Sequence, residues 1–281
     1  MHLFEKNRRK EKPSFANINM LGTCNLNCYF CLGKDLPEHF NKFRYEHVHF
    51  AQWSNFDKFL VLCQDHGIDN IFLTGQNTDP NLYQHLEDLV AFLQNDLGFS
   101  VGVRTNAYGV VGHRKTYDMC KGEIGYSAIS LDSATSNKIC GVSEIPDWNA
   151  IIPGTGNCRI SIVANRYNLH EIQDMIEFFG KFKEVKYIQL RRVSTDTRMK
   201  ELQVDAEIFD GLEKHYLSKF SDRLKGNFHK ANVFELCGKD VVFWKTVDTS
   251  VNSLNYYVDG TVSDEYFIIE GYLKNRLQEE R

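Results

Sequence analysis

The sequence predicts an α/β fold, a partial (β/α)6 TIM-like barrel with a C-terminal α+β extension. Three observations predict it. Over residues 15–193, six short apolar runs alternate with amphipathic helical patterns, as βαβ units on a parallel sheet require. The residues with chemistry gather just after those runs, at the edge where barrel enzymes carry their working groups. After residue 193 the pattern changes to one helix and hairpin-like strands. Six units are two fewer than a closed eight-fold barrel needs. The expected organisation is a polar lead-in over 1–14, a core over 15–195, and an accessory cap over 196–281.

The first strand is expected at Phe15 to Met20, followed by a loop with three cysteines and a long polar and aromatic stretch from Gly33 to Phe50. Trp53, Phe56, Phe59, Leu60 and Cys63 share one helical face that ends at Gly67. Ile68 to Leu73 reads as strand two, running into Thr74-Gly75-Gln76-Asn77-Thr78-Asp79-Pro80. Leu82, Leu86, Leu89, Val90 and Leu93 form the next helical face. Phe99 to Arg104 is strand three, with Asn106 in its terminal loop, and a polar helix spans Val111 to Lys121. Strand four is expected at Tyr126 to Leu131, with Asp132 capping a short helix through Cys140.

Arg159 to Val163 is strand five. Asn168 and Glu171 have capping-box spacing ahead of a helix faced by Leu169, Ile172, Met175, Ile176 and Phe179. Val185 to Val193 is strand six. Beyond it come a helix over Asp205 to Phe220, a strand over Val241 to Lys245, a strand over Asn255 to Val262 bent at Asp259-Gly260, and a polar helix from about Glu270.

Composition narrows the function. With 281 residues the chain suits one large domain or two small ones. A net charge of −4 gives no polycation signature of a nucleic-acid binder. No apolar run approaches about 18 residues, so no membrane span is expected, and the charged start lacks the apolar stretch of a signal peptide. Eight irregularly spaced cysteines, with Cys63 and Cys120 on helices, fit a reducing cytoplasm better than a disulfide framework.

Cys24, Cys28 and Cys31 follow the first strand at spacing C-x3-C-x2-C. Thiolates are the usual ligands of iron–sulfur clusters, which normally take four. Three with no fourth nearby imply a cluster with one iron open to another ligand. A structural zinc site is the alternative, but such sites usually draw on two separated pairs, and no second pair follows.

This motif, with the aromatic Phe30 just before its third cysteine, resembles the radical S-adenosylmethionine superfamily over about residues 15–193. The resemblance implies a partial (β/α)6 barrel and a 4Fe–4S cluster whose open iron chelates S-adenosylmethionine. It implies reductive cleavage to a 5′-deoxyadenosyl radical that takes a hydrogen from the substrate, with flavodoxin or ferredoxin as reductant. Phe30 would approach the adenine. Asp79-Pro80 aligns with the family's Glu-Pro in a longer loop, so Gly75 and Gln76, or Asp79, would hold the methionyl amino group. Ser130 and Asp132 match the region that contacts ribose and carboxylate, Asn106 and Val163 line the pocket, and Arg191 offers a planar fork to a carboxylate.

The resemblance also implies a substrate class. Peptide (RiPP) or natural-product modification leads, with a nucleotide or sugar metabolite as the alternative and a non-catalytic zinc or redox metal-binding protein as the rival from another class. Cys237, or Cys140, is a candidate thiol that returns a hydrogen atom to a substrate radical, though a lone cysteine is more often core. Tyr256, Tyr257, Tyr266 and Tyr272 suit either a substrate wall or core packing. His39, His47 and His49 suit either substrate contact or a solvated loop.

Overall fold

The structure is a computed structural model that describes residues 12–36, 38–42, 44–193, 200–228, 230–245 and 252–265, with backbone only for Asp35, His39 and Lys200. Its strands are β1 (Phe15–Met20), β2 (Asn70–Gly75), β3 (Ser100–Thr105), β4 (Ile124–Ser127), β5 (Cys158–Val163), β6 (Val185–Arg191), β7 (Leu224–Phe228), β8 (Ala231–Leu236), β9 (Lys239–Trp244), β10 (Ser253–Tyr257) and β11 (Val262–Ser263). The α-helices are α1 (Glu38–Asn41), α2 (Phe56–His66), α3 (Leu86–Ala91), α4 (Arg114–Met119), α5 (Ser133–Cys140), α6 (Trp148–Ile151), α7 (Ile172–Gly180) and α8 (Gln203–Lys219).

All eleven strands form one sheet, in the order β11-β10-β1-β2-β3-β4-β5-β6-β9-β8-β7. From β10 to β9 every neighbouring pair is parallel, and both edges turn antiparallel. The chain after residue 200 therefore does not sit apart from the core. It adds β10 beside β1 and β9 beside β6, so eight strands run parallel where six were expected.

Strand alternation gives the sheet two unlike faces. One carries Ile18, Ile71, Leu73, Val101, Val103, Ile160, Ile162, Ile188 and Leu190, all fully buried. Helices complete this core with Phe56, Phe59, Leu60 and Cys63 of α2 and Ile172, Met175, Ile176 and Phe179 of α7. Burying each such large side chain contributes roughly 1.5–3 kcal/mol. The other face carries Asn17, Asn19, Thr74, Arg104, Ser127, Arg159, Ser161, Gln189 and Arg191 at in-register positions. Parallel sheets are normally covered by apolar groups on both faces. The many polar groups here mark a face that lines a cavity rather than a second apolar core.

Several expectations change. Strand four lies at Ile124–Ser127, ahead of the expected Tyr126 to Leu131, because Gly125 pairs in the ladder while Ser130 turns away from it. The capping box at Asn168 and Glu171 does not form. Asn168 accepts from Asn165 N and donates to Ile129 O and Val163 O, while Glu171 accepts from Ser130 Oγ and from Leu131 N at 3.0 Å. Tyr256 is fully buried against Trp53, Phe56 and Phe59 and donates to Ser54 O. Tyr257, also buried, donates to Glu265 O. Both are buried in the core, and neither lines the cavity described below. Tyr266, Tyr272 and the helix expected from Glu270 lie outside the described residues.

Strands β7 and β8 were not foreseen. Cys237 and Gly238 make the two-residue turn from β8 to β9, with φ of 51° and 71°. A two-residue hairpin with both central residues left-handed favours Asn-Gly, and the left-handed region costs an ordinary side chain roughly 1–2 kcal/mol. Cys237→Asn is expected to stabilise the fold by roughly 0.5–1 kcal/mol, read as a higher denaturant midpoint at unchanged slope. A lower midpoint would contradict this reading of the turn.

Candidate functional site

The cysteine loop leaves the C-terminal end of β1 and packs against the loop that leaves β2. Gly22 N donates to Asn77 Oδ1 at 3.0 Å, Thr78 Oγ1 to Thr23 O at 2.9 Å, and Asn77 Nδ2 to Asn41 Oδ1 at 2.7 Å. The second loop folds back sharply at Gly75, where a Cβ would fall 1.8 Å from the Thr78 carbonyl oxygen. Only glycine permits that approach. Gln76 is anchored by its side-chain amide, which donates to Asn19 Oδ1 at 2.9 Å.

Asp79 holds the next junction. Its buried carboxylate accepts from Asn81 N at 2.9 Å, Thr105 Oγ1 at 2.9 Å and Asn106 N at 2.6 Å, joining the β2 loop to the end of β3. Burial pushes its pKa up to about 6 against the pull of these hydrogen bonds. Asn106 carries the connection onward, with its side-chain amide 2.7 Å from Asn25 Oδ1 and 3.9 Å from Cys24 Sγ.

A cavity of about 270 Å³ opens on the polar face of the sheet. Cys24, Cys28, Cys31, Phe30, Gly75, Gln76, Asp79, Asn106, Val163 and Arg191 all line it, so ten of the residues singled out by sequence converge there. Backbone N–H groups already point at two of the sulfurs, from Leu26 to Cys24 at 3.4 Å and from Gly33 to Cys31 at 3.3 Å. Such donors favour the thiolate, the form that binds metal. Without metal, burial pushes the Cys24 thiol up to about 11.

Among the described residues, three potential metal-ligand atoms approach within 4.8 Å of one another only at His49, His85 and Asp88. No three of the sulfurs of Cys24, Cys28, Cys31 and Cys140 are that close. A single tetrahedral zinc with Zn–S near 2.3 Å needs them about 3.8 Å apart. As they stand, the three thiols leave room between them for a group larger than one ion.

Four other candidates lie elsewhere. Ser130 is buried and hydrogen-bonded to Glu171, and Asp132 is an exposed N-cap that accepts from Thr135 N at 2.8 Å; neither lines the cavity. Ser127, Ala128 and Ile129 line it instead. Cys140 sits behind the loop, sharing a hydrogen bond with Cys28 that raises the Cys28 thiol and draws Cys140 down. Cys237 is exposed at the turn before β9, where the parallel strands begin, whereas the cysteine loop lies where they end. Neither cysteine faces the cavity, and neither do His47 or His49, whose Nδ1 accepts from Ala51 N. The side chain of His39 lies outside the described residues.

The sequence reading missed Arg104, Arg159 and Arg192, which also line the cavity. Their signal was an arginine inside or ending an otherwise apolar strand, as in Val101-Gly102-Val103-Arg104 and Cys158-Arg159-Ile160.

Fold and site together define a mostly parallel α/β protein with a thiol-lined cavity at the C-terminal edge of its sheet. No protein-family model matches the chain, and no curated protein matches it. Solved structures do. SuiB of Streptococcus suis bound to S-adenosylmethionine matches at TM-score 0.57 and 14% identity, over 90% of this chain and 61% of that one. SuiB bound to its precursor peptide SuiA matches at TM-score 0.56 and 14% identity, over 91% and 61%. The chain thus spans about three-fifths of the length of the SuiB chain, and at this identity the likeness shows the fold. No helix among the described residues is long and apolar enough to cross a membrane.

Asp79 gives a pH prediction. Its folded pKa, about 6, lies above the ordinary carboxylate value of 3.8. Between these values the folded state holds a proton that the unfolded state has lost, so this group's contribution makes stability fall as pH rises from about 4 to about 6. In metal-free protein, urea midpoints should show this component, and Asp79→Asn should lack it. An equal pH slope in both would contradict the assignment.

Proposed function

We propose that the chain is a radical S-adenosylmethionine enzyme with one 4Fe–4S cluster on Cys24, Cys28 and Cys31, acting on a peptide substrate within a partial barrel whose six βα units are flanked by β10 and β9. The observation that carries this reading is the three thiols lining one cavity, spread wider than a single ion needs, beside a loop pinned by Gly75. The likeness in fold to a protein solved with S-adenosylmethionine and with a precursor peptide supports the choice of cofactor and substrate.

When bound and reduced, the cluster supplies the electron that cleaves S-adenosylmethionine to a radical. The chain's own residues do the holding. The turn at Gly75 and Gln76 presents backbone groups to the methionyl end of the cofactor, and Phe30 offers a ring face to its adenine. Arg191 offers its fork to the cofactor carboxylate. Leu26, Leu32, Ile129, Val163 and Val193 form the apolar part of the wall, which keeps water from a reactive species. With three donors on its carboxylate, Asp79 acts by positioning Asn106 and the loop. The protein works in the cytoplasm with flavodoxin or ferredoxin as electron donor.

Anaerobic reconstitution with iron and sulfide should yield the broad visible absorbance of an iron–sulfur cluster. Addition of reductant and S-adenosylmethionine should then yield 5′-deoxyadenosine. Replacing Cys24, Cys28 or Cys31 by alanine should remove both signals. Protein that holds one zinc and never cleaves S-adenosylmethionine would overturn the reading.

A further inference from the structure

The floor of the cavity carries two guanidinium groups that the proposed cofactor chemistry does not use. Arg104 of β3, Gly125 of β4 and Arg159 of β5 stand in register across three neighbouring strands, so both arginines project from the cavity face on either side of a residue with no side chain. Gly125 leaves the Arg159 guanidinium room to lie close over the strand, since a Cβ there would meet its Nε, Nη2 and Cζ at 3.2–3.4 Å. The Arg104 guanidinium rests on the Phe72 ring, 4.5 Å from its centroid. Tyr187 continues the row on β6, and both arginines pull its pKa down against the larger upward push of burial.

Arg159 is 7% exposed and nevertheless keeps donors for a ligand. Its Nη1 donates to Gln189 Oε1 at 2.5 Å, and its Nε lies 2.8 Å from Glu123 Oε1 without the N–H being aimed at that oxygen. These contacts fix the plane of the guanidinium from two sides. Neither N–H of Nη2, on the Gly125 side, has a protein partner among the described residues. A buried cation that is held in place with open N–H groups suits an anion with more than one acceptor oxygen, which a guanidinium binds through charge-assisted hydrogen bonds.

We propose that Arg159, with the positive charge of Arg104 beside it across Gly125, forms a carboxylate-binding subsite for the substrate at the bottom of the cavity. Arg159 stands four residues before Val163 on β5, roughly 13 Å deeper along the strand. The acidic group of the substrate is therefore held well below the cysteine loop, and the reacting carbon lies between the two. In a peptide substrate the anion is the side chain of an acidic residue or the chain terminus. This subsite rests on the cavity being the substrate site proposed above, but binding of the anion needs neither cluster nor radical.

The test is ligand-observed NMR of the full chain with N-acetyl-glutamate α-amide, N-acetyl-glycine, inorganic phosphate and the neutral N-acetyl-glutamine α-amide as probes. A carboxylate probe should bind and the neutral amide should not. The two carboxylates separate a side-chain source from a terminal one. Arg159→Gln and Arg104→Gln should each weaken binding roughly tenfold or more. Arg159→Lys, which keeps the charge and loses the fork, should recover only part of it. Circular dichroism checks that each variant is folded, and should Arg159→Gln not fold, Arg104→Gln carries the test.

Binding should persist in the variant with Cys24, Cys28 and Cys31 all replaced by alanine. Persistence there without cluster formation in the native chain would fell the radical reading and leave the subsite standing. Equal binding of the neutral amide, binding of phosphate alone, or undiminished binding in folded arginine variants would overturn the subsite.

Discussion

The carboxylate of Asp79 is the joint on which the cavity depends. It lies in the interior and collects the N–H groups of Asn81 and Asn106 together with the Thr105 hydroxyl. Thr105 Oγ1 in turn accepts from Asn81 Nδ2 at 2.8 Å, and Asn81 Oδ1 accepts from the Tyr117 hydroxyl. A buried charge is tolerated only when its lone pairs are met, so these partners must assemble together. The consequence reaches the thiols, because Asn106 then extends to Asn25 and Cys24. One residue thereby ties the ends of β2 and β3 to the loop that carries the cysteines.

The second constraint is the pairing of an apolar and a polar face on parallel strands. The apolar face is closed by α2, α7 and their neighbours. On the other face, Asn17 donates to Asn255 Oδ1 at 2.9 Å, Gln76 to Asn19, and Arg159 to Gln189. Side chains tied to one another in this way hold their rotamers, which helps to give the cavity its shape. Edge strands from the C-terminal part of the chain continue both sides of the sheet, with β10 supplying Asn255 and β9 flanking Arg191. The segment after residue 200 is therefore part of what shapes the polar face.

What the sequence made legible was local. The three cysteines declare themselves by spacing, and β1 coincides with its expected bounds because Ala16, Ile18 and Met20 alternate cleanly with Asn17 and Asn19. Asp132 was recognised as a helix cap, and it does not line the cavity, because β4 ends at Ser127 and the following residues fold toward Glu171. Strand β7 escaped notice because all five of its residues are exposed and carry no apolar period. Cys237 looked chemical in isolation and proved to be a hairpin residue. Arg104 and Arg159 needed interstrand register to be seen, since 55 residues separate them in sequence and Gly125 brings them into one row.

The central claim is that three thiolates leave one metal position open for S-adenosylmethionine. The most direct measurement is the electron paramagnetic resonance spectrum of the reconstituted, reduced protein with and without S-adenosylmethionine. The account predicts a cluster signal whose shape changes when the cofactor is added, because a new ligand joins one iron. A cluster signal indifferent to the cofactor, or no cluster signal at all, would contradict it.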